Sequence, residues 1–418
     1  MNILMITNTY LPFLGGVERS IQTFSDEYRK AGHNVIIIAP ADDDAQHDEA
    51  GVIRVPALQH FNGTDFSIQL PLPGVLASAL KEFTPHIIHS HHPYLMGDSA
   101  LRLGAHYGIP VVFTFHTFYE MYTHYIPGDS PAMKRFVNAL AVGYANLCGC
   151  VIAPSRFVAS EIRNRGVEAP VEVIPTGIHL EKFKNGDGEK LRLECKIPSN
   201  AFVVGFISRL APEKNIEFLA GVIKNFLLSL PRAHFMLAGT GPLRDYFCSQ
   251  FEEPSLQNRF HYLDQLCGQK LVDAYHAMDF FVFASNTETQ GLVIAEALAC
   301  GVPVVSLKTG VITEIIRDDF NGYLAYDESE FTDALKHAAS LPSRRLLRLR
   351  RNASQSVCGF HREICAGRAL KIYEKLIIKN FTLRSSDDNA WSKTARMLKA
   401  EMDIIANMTK ALGKTFGP

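Results

Sequence analysis

Scarcity narrows the field before any motif does. The 418 residues hold one tryptophan, Trp391, and no C-x-x-C pair. Eight cysteines are scattered as Cys148, Cys150, Cys195, Cys248, Cys267, Cys300, Cys358 and Cys365. Most lie in apolar runs, which is the distribution of buried thiols in a reducing compartment. An excess of either charge is missing too: 42 basic and 43 acidic side chains leave a net charge of −1. Global binding to nucleic acid or an acidic polymer needs a basic excess, so it is excluded. Any charge-driven partner has to meet a local patch. No apolar run reaches the ~18–20 residues of a membrane span. The opening MNILMITNTY has no basic stretch, and its apolar run is too short for a signal peptide. A cytoplasmic chain is expected, able to touch the inner face of a membrane without crossing it.

What is present is enough apolar material for two cores. Hydrophobic residues make up 47%, and a single core stops growing near ~250–300 residues. Short apolar runs alternate with helical patterns: NILMITN (2–8), NVIIIAP (34–40), HIIHSHH (86–92), PVVFTFH (110–116), CVIAPS (150–155) and VEVIP (171–175). GVERSIQTFSDEYRKAG (16–32) has helical spacing, with Val17, Ile21, Phe24 and Tyr28 on one side. The pattern restarts with FVVGFIS (202–208), HFMLAG (234–239), RFHYLD (259–264), DFFVFAS (279–285) and PVVSL (303–307). Runs apolar on both faces are parallel strands covered by helices. The fold class is therefore α/β, with two doubly wound domains over 1–180 and 181–358. Between them the polar HLEKFKNGDGEKLRLE (179–194), with Gly186 and Gly188, reads as a linker. The two domains are expected to face a cleft.

Beyond residue 340 the chain reads as helical, starting with the basic SRRLLRLRR (343–351). From Trp391 to Phe416, apolar residues fall at 391, 395, 398, 402, 405, 412 and 416, with Thr409 in the missing place. Such a stripe suits docking onto the chain's own body, a coiled-coil partner or a membrane surface.

Chemistry concentrates in four stretches. NTETQGLVIAEALACGVPVV (286–305) is strand-end loop and apolar helix, yet it holds Glu288 and Glu296. A carboxylate near a helix N-terminus is favoured by the dipole, which accounts for Glu288 alone. Glu296, between Ala295 and Ala297, needs hydrogen-bond donors, and a ribose diol or a hexose ring supplies them. GFISRLAPEKN (205–215) puts Arg209 and Lys214 after the second domain's first strand, where such residues meet phosphates. A leaving nucleoside diphosphate gains charge that two fixed cations can stabilise; a solvated loop is the alternative. YLPFLGGVERS (10–20) places Gly15 and Gly16 between strand and helix, where backbone can approach an anion. AGTGPL (238–243), with Gly239 and Gly241, is its counterpart, and each is equally compatible with a plain tight turn. FTFHTFYEMYTHYIPG (113–128) carries His116 at a strand end and Tyr119, Tyr122 and Tyr125 at steps of three. HSHHP (89–93) adds His89, His91 and His92, with no acidic or cysteine partner at a metal-ligand spacing.

Together these residues resemble the GT-B glycosyltransferases, specifically the retaining family 4 group, over roughly 1–380. Glu288-x7-Glu296 within TETQGLVIAEALACGVPVV is that group's signature, SRLAPEKN matches its diphosphate segment, and GGVE its first-domain glycine loop. The resemblance implies a nucleotide-sugar domain over 181–358, an acceptor domain over 1–180 and a crossover helix over 359–380. It has no counterpart for 381–418. Glu296 is implied to hold the ribose, Glu288 the donor sugar hydroxyls, and Arg209 and Lys214 the diphosphate. Gly15, Gly16, Gly239, Gly241, Gln290, Gly291 and Leu292 would complete the donor site. His116 would contact the transferred sugar near its reacting carbon. The resemblance implies front-face attack without a protein nucleophile, and donor binding without metal or cofactor.

TFHTFYEMYTHYIPG is similar to the corresponding stretch of bacterial diacylglycerol glucosyltransferases, which use UDP-glucose. Glu18, Tyr119, Tyr122 and Tyr125 would then face a lipid acceptor. Lys134 and Arg135 in PAMKRFVNALAVGY (131–144) would offer a peripheral membrane anchor, an ordinary packed helix being the alternative. A soluble sugar, a phosphoinositol lipid or a small metabolite is the alternative acceptor, and a sugar-nucleotide epimerase the alternative class. The C-terminal helix is a candidate interface between copies.

Overall fold

The computed structural model describes residues 1–13, 15–41, 49–58, 68–69, 80–125, 128–383 and 390–416. The chain forms two units, Met1–Gly177 with Arg362–Pro418, and Ile178–His361. Each centres on a parallel sheet.

The first unit's sheet has seven strands: β1 (Asn2–Ile6), β2 (Asn34–Pro40), β3 (Val52–Val55), β4 (Ile87–Ser90), β5 (Val111–Thr114), β6 (Cys150–Ala153) and β7 (Val171–Val173). Their order is β3-β2-β1-β4-β5-β6-β7, with all neighbours parallel. Ile3, Leu4, Met5 and Ile6 are wholly buried because helices cover both faces. The order reverses between β1 and β4, which opens a crevice at their carboxyl ends. The edge strand β3 escapes a hydrophobic-run reading because Arg54 interrupts its four residues. The Arg54 guanidinium donates to the carbonyls of Pro40, at 3.1 Å, and Leu11, at 2.8 Å.

Helix Arg362–Leu383 returns to this unit and packs on helix Gly16–Lys30. Its Cys365, Ala366, Ala369 and Tyr373 join a core that holds Ile3, Ile21, Phe24 and Tyr28.

The second unit's sheet has six strands: β8 (Phe202–Ile207), β9 (Ala233–Ala238), β10 (Phe260–Tyr262), β11 (Phe280–Phe283), β12 (Val304–Leu307) and β13 (Gly322–Ala325). The order is β10-β9-β8-β11-β12-β13, again parallel, with the reversal between β8 and β11. β13 was not legible from hydrophobic runs, being four residues that begin with a glycine. Gly322 lies so close to β12 that a Cβ there would strike the Val304 carbonyl.

Two expectations are corrected. The stretch 179–194 is not a linker but part of the second unit, as helices Leu180–Phe183 and Gly188–Glu194. Its glycines serve close packing: a Cβ on Gly186 would strike the His276 ring, and one on Gly188 the His276 backbone. Leu180 and Phe183 are buried beside them. The basic SRRLLRLRR forms helix Ser343–Ser356, which packs within the second unit against helix Leu292–Ala299.

The C-terminal helix, Ala390–Phe416, docks on helices Pro131–Leu147 and Met96–Tyr107. It docks through a different row from the 391–416 stripe. Ile404 and Ala411 are buried, and the Asn407 amide donates to the Leu140 carbonyl at 3.1 Å. Gly143 leaves the room that this amide fills. Glu401 accepts two bonds from Arg102, at 2.6 and 3.1 Å, and Arg135 donates to the Thr415 carbonyl at 3.2 Å. Residues 384–389 and 417–418 of the expected 381–418 segment lie outside the described residues.

Gly188→Ala should lower stability by about 1–3 kcal/mol, the usual cost of overpacking against backbone. A urea melt checks this, and an unchanged midpoint would restore 179–194 as a linker.

Candidate functional site

In the second unit the loops that leave β8, β9 and β11 meet where the strand order reverses. Glycine at 239 and 241 is required by backbone. Both have positive φ, +130° and +155°, and a Cβ on either would strike the carbonyl of Ser208 or Leu210. The close approach lets Leu210 N–H donate to the Thr240 carbonyl at 2.9 Å, and Leu243 N–H to that of Leu210 at 2.9 Å. The β8 loop is also tied to the β11 loop. Ser285 Oγ donates to the Glu213 carbonyl at 2.9 Å, and Asn215 Nδ2 to that of Ala284 at 3.3 Å.

These ties bring Lys214 to Glu288. The short turn Pro212–Lys214 and the left-handed Asn215 aim the lysine across the switch point, and its Nζ donates to Glu288 Oε1. Both side chains are mostly buried, at 18% and 14% exposure. A pair this shielded is screened little by salt, and neither partner can be removed cheaply. Arg209 lies on the same β8 loop, and Gln290 is buried on the β11 loop. Gly291, at φ 70°, turns the chain into helix Leu292–Ala299.

Glu296 is 6% exposed in the second turn of that helix. Its carboxylate has a protein donor that the spacing of residues did not reveal. Tyr275 OH donates to Glu296 Oε2 at 2.9 Å. Tyr275 lies on helix Gly268–His276 with its ring wholly buried. The one signal for it was an aromatic with a polar tip on an apolar helix face. Glu296 is thus satisfied in part by protein.

In the first unit, Gly15 and Gly16 open helix Gly16–Lys30, and Glu18 in its first turn is buried. Burial pushes the Glu18 carboxyl above its ordinary pKa, against bonds from the Thr9 side chain and the Gly15 and Glu18 backbone. A Cβ on Gly15 would crowd that carboxyl, while one on Gly16 would meet nothing within 4 Å.

Four histidines gather near the carboxyl ends of β4 and β5. His91 Nδ1 and His116 Nε2 are 2.9 Å apart, so one ring donates and the other accepts, and a doubly charged pair is disfavoured. His92 Nδ1 accepts the Asn8 N–H at 3.1 Å, which leaves its proton on Nε2. His89 lies between Thr114 Oγ1, at 2.6 Å, and Tyr373 OH, at 2.6 Å, and Tyr373 OH meets Tyr28 OH at 3.0 Å. Burial is the main reason that all four resist protonation, with His89 and His92 lowered to about 3. Tyr119 is buried against Tyr94 and Phe115, whereas Tyr122, His124 and Tyr125 stack on one another. Residues 126 and 127 of that stretch lie outside the described residues. Among the described residues no cluster of three His, Cys, Asp or Glu side chains has metal-site geometry.

Two Rossmann-like units, the second with a cation–carboxylate pair at its switch point, define the GT-B class. Residues 14–182 match Glycosyltransferase Family 4, and residues 187–356 match Glycosyl transferases group 1. The chain is 30% identical to an alpha-monoglucosyldiacylglycerol synthase of Streptococcus pneumoniae, over 81% of this chain and 78% of that one. It is 28% identical to a GDP-mannose-dependent alpha-mannosyltransferase of Corynebacterium glutamicum, over 81% and 80%. The structure of Anabaena Alr3699/HepE in complex with UDP superposes with TM-score 0.70 at 22% identity, covering 90% of this chain and all of that one. The chain belongs to the family 4 glycosyltransferases of the GT-B fold, and it moves a sugar from a nucleotide sugar.

The histidines give a signed pH prediction. Their folded pKa lies below the unfolded value of about 6.5, so their stability is complete above that value and lost as pH falls through it. Between about pH 7 and about pH 5, His89 and His92 should each remove about 2 kcal/mol. His92→Asn keeps an acceptor for the Asn8 N–H and cannot titrate. Urea melts should show a pH dependence smaller than wild type by about 2 kcal/mol; parallel curves would contradict the assignment.

Proposed function

We propose that the protein transfers glucose from UDP-glucose to the free hydroxyl of a diacylglycerol, with retention at the anomeric carbon. The shielded Lys214–Glu288 pair at the second unit's switch point carries this reading. Donor binding exchanges one internal ion pair for two ligand contacts. Lys214 turns to the diphosphate, where Arg209 joins it, and the sugar hydroxyls take over Glu288. As the bond from the anomeric carbon to the phosphate oxygen lengthens, charge grows on the diphosphate, and the two cations stabilise it. The departing phosphate oxygen takes the proton of the acceptor hydroxyl, which attacks on the same face. The ribose diol adds its donors to Glu296, already held in place by Tyr275 OH. His116 and Glu18 belong to the acceptor side of this reading.

The name of the Streptococcus pneumoniae relative supports glucose and diacylglycerol. The Corynebacterium glutamicum relative, named for GDP-mannose, makes the donor the first thing to test. Incubation with UDP-glucose or GDP-mannose, with and without diacylglycerol in vesicles, should yield a glucosyl lipid by mass spectrometry from UDP-glucose only. A mannosyl product would overturn the donor, a glycosylated soluble sugar the acceptor, and a donor isomer formed without acceptor would favour epimerisation.

Lys214→Ala should lower kcat by ~10²-fold or more, as loss of a transition-state charge contact does. Near-normal turnover would remove Lys214 from the diphosphate. Because these cations supply the countercharge, turnover should persist in EDTA; abolition restored by a divalent ion would contradict it.

A further inference from the structure

The C-terminal helix docks with one row and leaves another uncovered. Ile404 and Ala411 face the body, while Trp391, Leu398, Met402, Ile405 and Leu412 stand exposed, Trp391 at 79%. Their steps of seven, four, three and seven keep them on one side of the helix. The apolar surface exceeds a two-helix seam. Met408 is exposed beside the row, as are Ile378 and Phe381 near the end of helix Arg362–Leu383. That end and the start of the C-terminal helix meet at the same place. Asn380 Nδ2 donates to the Gly108 carbonyl at 2.8 Å, and Arg396 Nε to that of Ala105 at 3.3 Å.

Charge lies along one edge. The residues that follow the stripe, about 100° around the helix, include Arg396, Lys399 and Lys410 against Asp403 alone. The only other acid in this helix, Glu401, is already paired with Arg102. Lys410 continues into a groove of about 730 Å³ that Arg135, Arg165 and Lys414 also line. Helix Pro131–Leu147, which carries Lys134 and Arg135, lies beneath the C-terminal helix.

We propose that the exposed face of helix Ala390–Phe416 is the surface by which this protein lies on an anionic bilayer. The stripe enters the boundary between headgroups and acyl chains, and Lys399 and Lys410 reach back to lipid phosphates. A broad face of Trp, Leu, Met and Ile with cations on its edge fits that occupant better than a second copy, which the sparse charges beside the stripe would not pair. No helix is long and apolar enough to cross a membrane among the described residues, so the contact is one of lying on the surface.

Trp391 is the chain's single tryptophan, so its fluorescence reports this face without labelling. The protein should co-sediment with vesicles of equimolar phosphatidylcholine and phosphatidylglycerol, with Trp391 emission shifting to the blue, and bind pure phosphatidylcholine far less. Leu398→Asp with Ile405→Asp should weaken binding by about a hundredfold. Lys399→Glu with Lys410→Glu should weaken it about thirtyfold or more on the anionic vesicles alone. All four positions are exposed, so thermal melts should match wild type, and the two double variants test the face independently. Absent binding, binding with unmoved Trp391 emission, or binding that survives both variants would overturn the proposal. So would light scattering that shows a dimer without vesicles, lost in Leu398→Asp with Ile405→Asp.

Discussion

A charge buried in a sheet-and-helix core has to be answered within reach, and the second unit is arranged around that demand. Lys214 and Glu288 answer one another from loops that follow different strands, 74 residues apart in sequence. Only the reversal between β8 and β11 brings those loops together. The glycines of the β9 loop let three strand ends crowd into one place without side chains in between. The pair is strong because it is shielded, and it can be exchanged because a diphosphate offers the lysine more negative charge than one carboxylate does.

The first unit solves a similar problem without net charge. Near its own reversal, between β1 and β4, it gathers imidazoles that burial keeps neutral. Neutral rings can each donate and accept, so His91 and His116 bond to one another, while His89 passes its contact to Tyr373 and on to Tyr28. The returning helix is therefore fastened by hydrogen bonds to a strand end as well as by its apolar face.

Much of this was legible in the residues. Glu288, Glu296, Arg209 and Lys214 announced themselves because charge in apolar, strand-end sequence needs a reason. The alternating runs gave eleven of the strands because parallel strands are apolar on both faces. The edge strands β3 and β13 were missed, being only four residues long and holding Arg54 and Gly322. Tyr275 and Tyr373 were missed because their partners lie 21 and 284 residues away, and no local pattern encodes such a contact. The C-terminal helix shows another limit. Its stripe was plain at heptad spacing, yet the helix docks by the neighbouring row, where Ile404, Ala411 and Asn407 fit the gap at Gly143. Periodicity finds an apolar face, and local shape decides which face is covered.

Calorimetric titration of UDP into wild type and Glu288→Gln tests the exchange of partners most directly. Glu288→Gln removes the charge that holds Lys214 and leaves a side chain of the same shape. UDP carries no sugar for Glu288 to contact, so the variant should bind it several-fold more tightly than wild type, about 1 kcal/mol. Weaker binding of UDP to Glu288→Gln would contradict the exchange and show that the carboxylate itself supports the nucleotide.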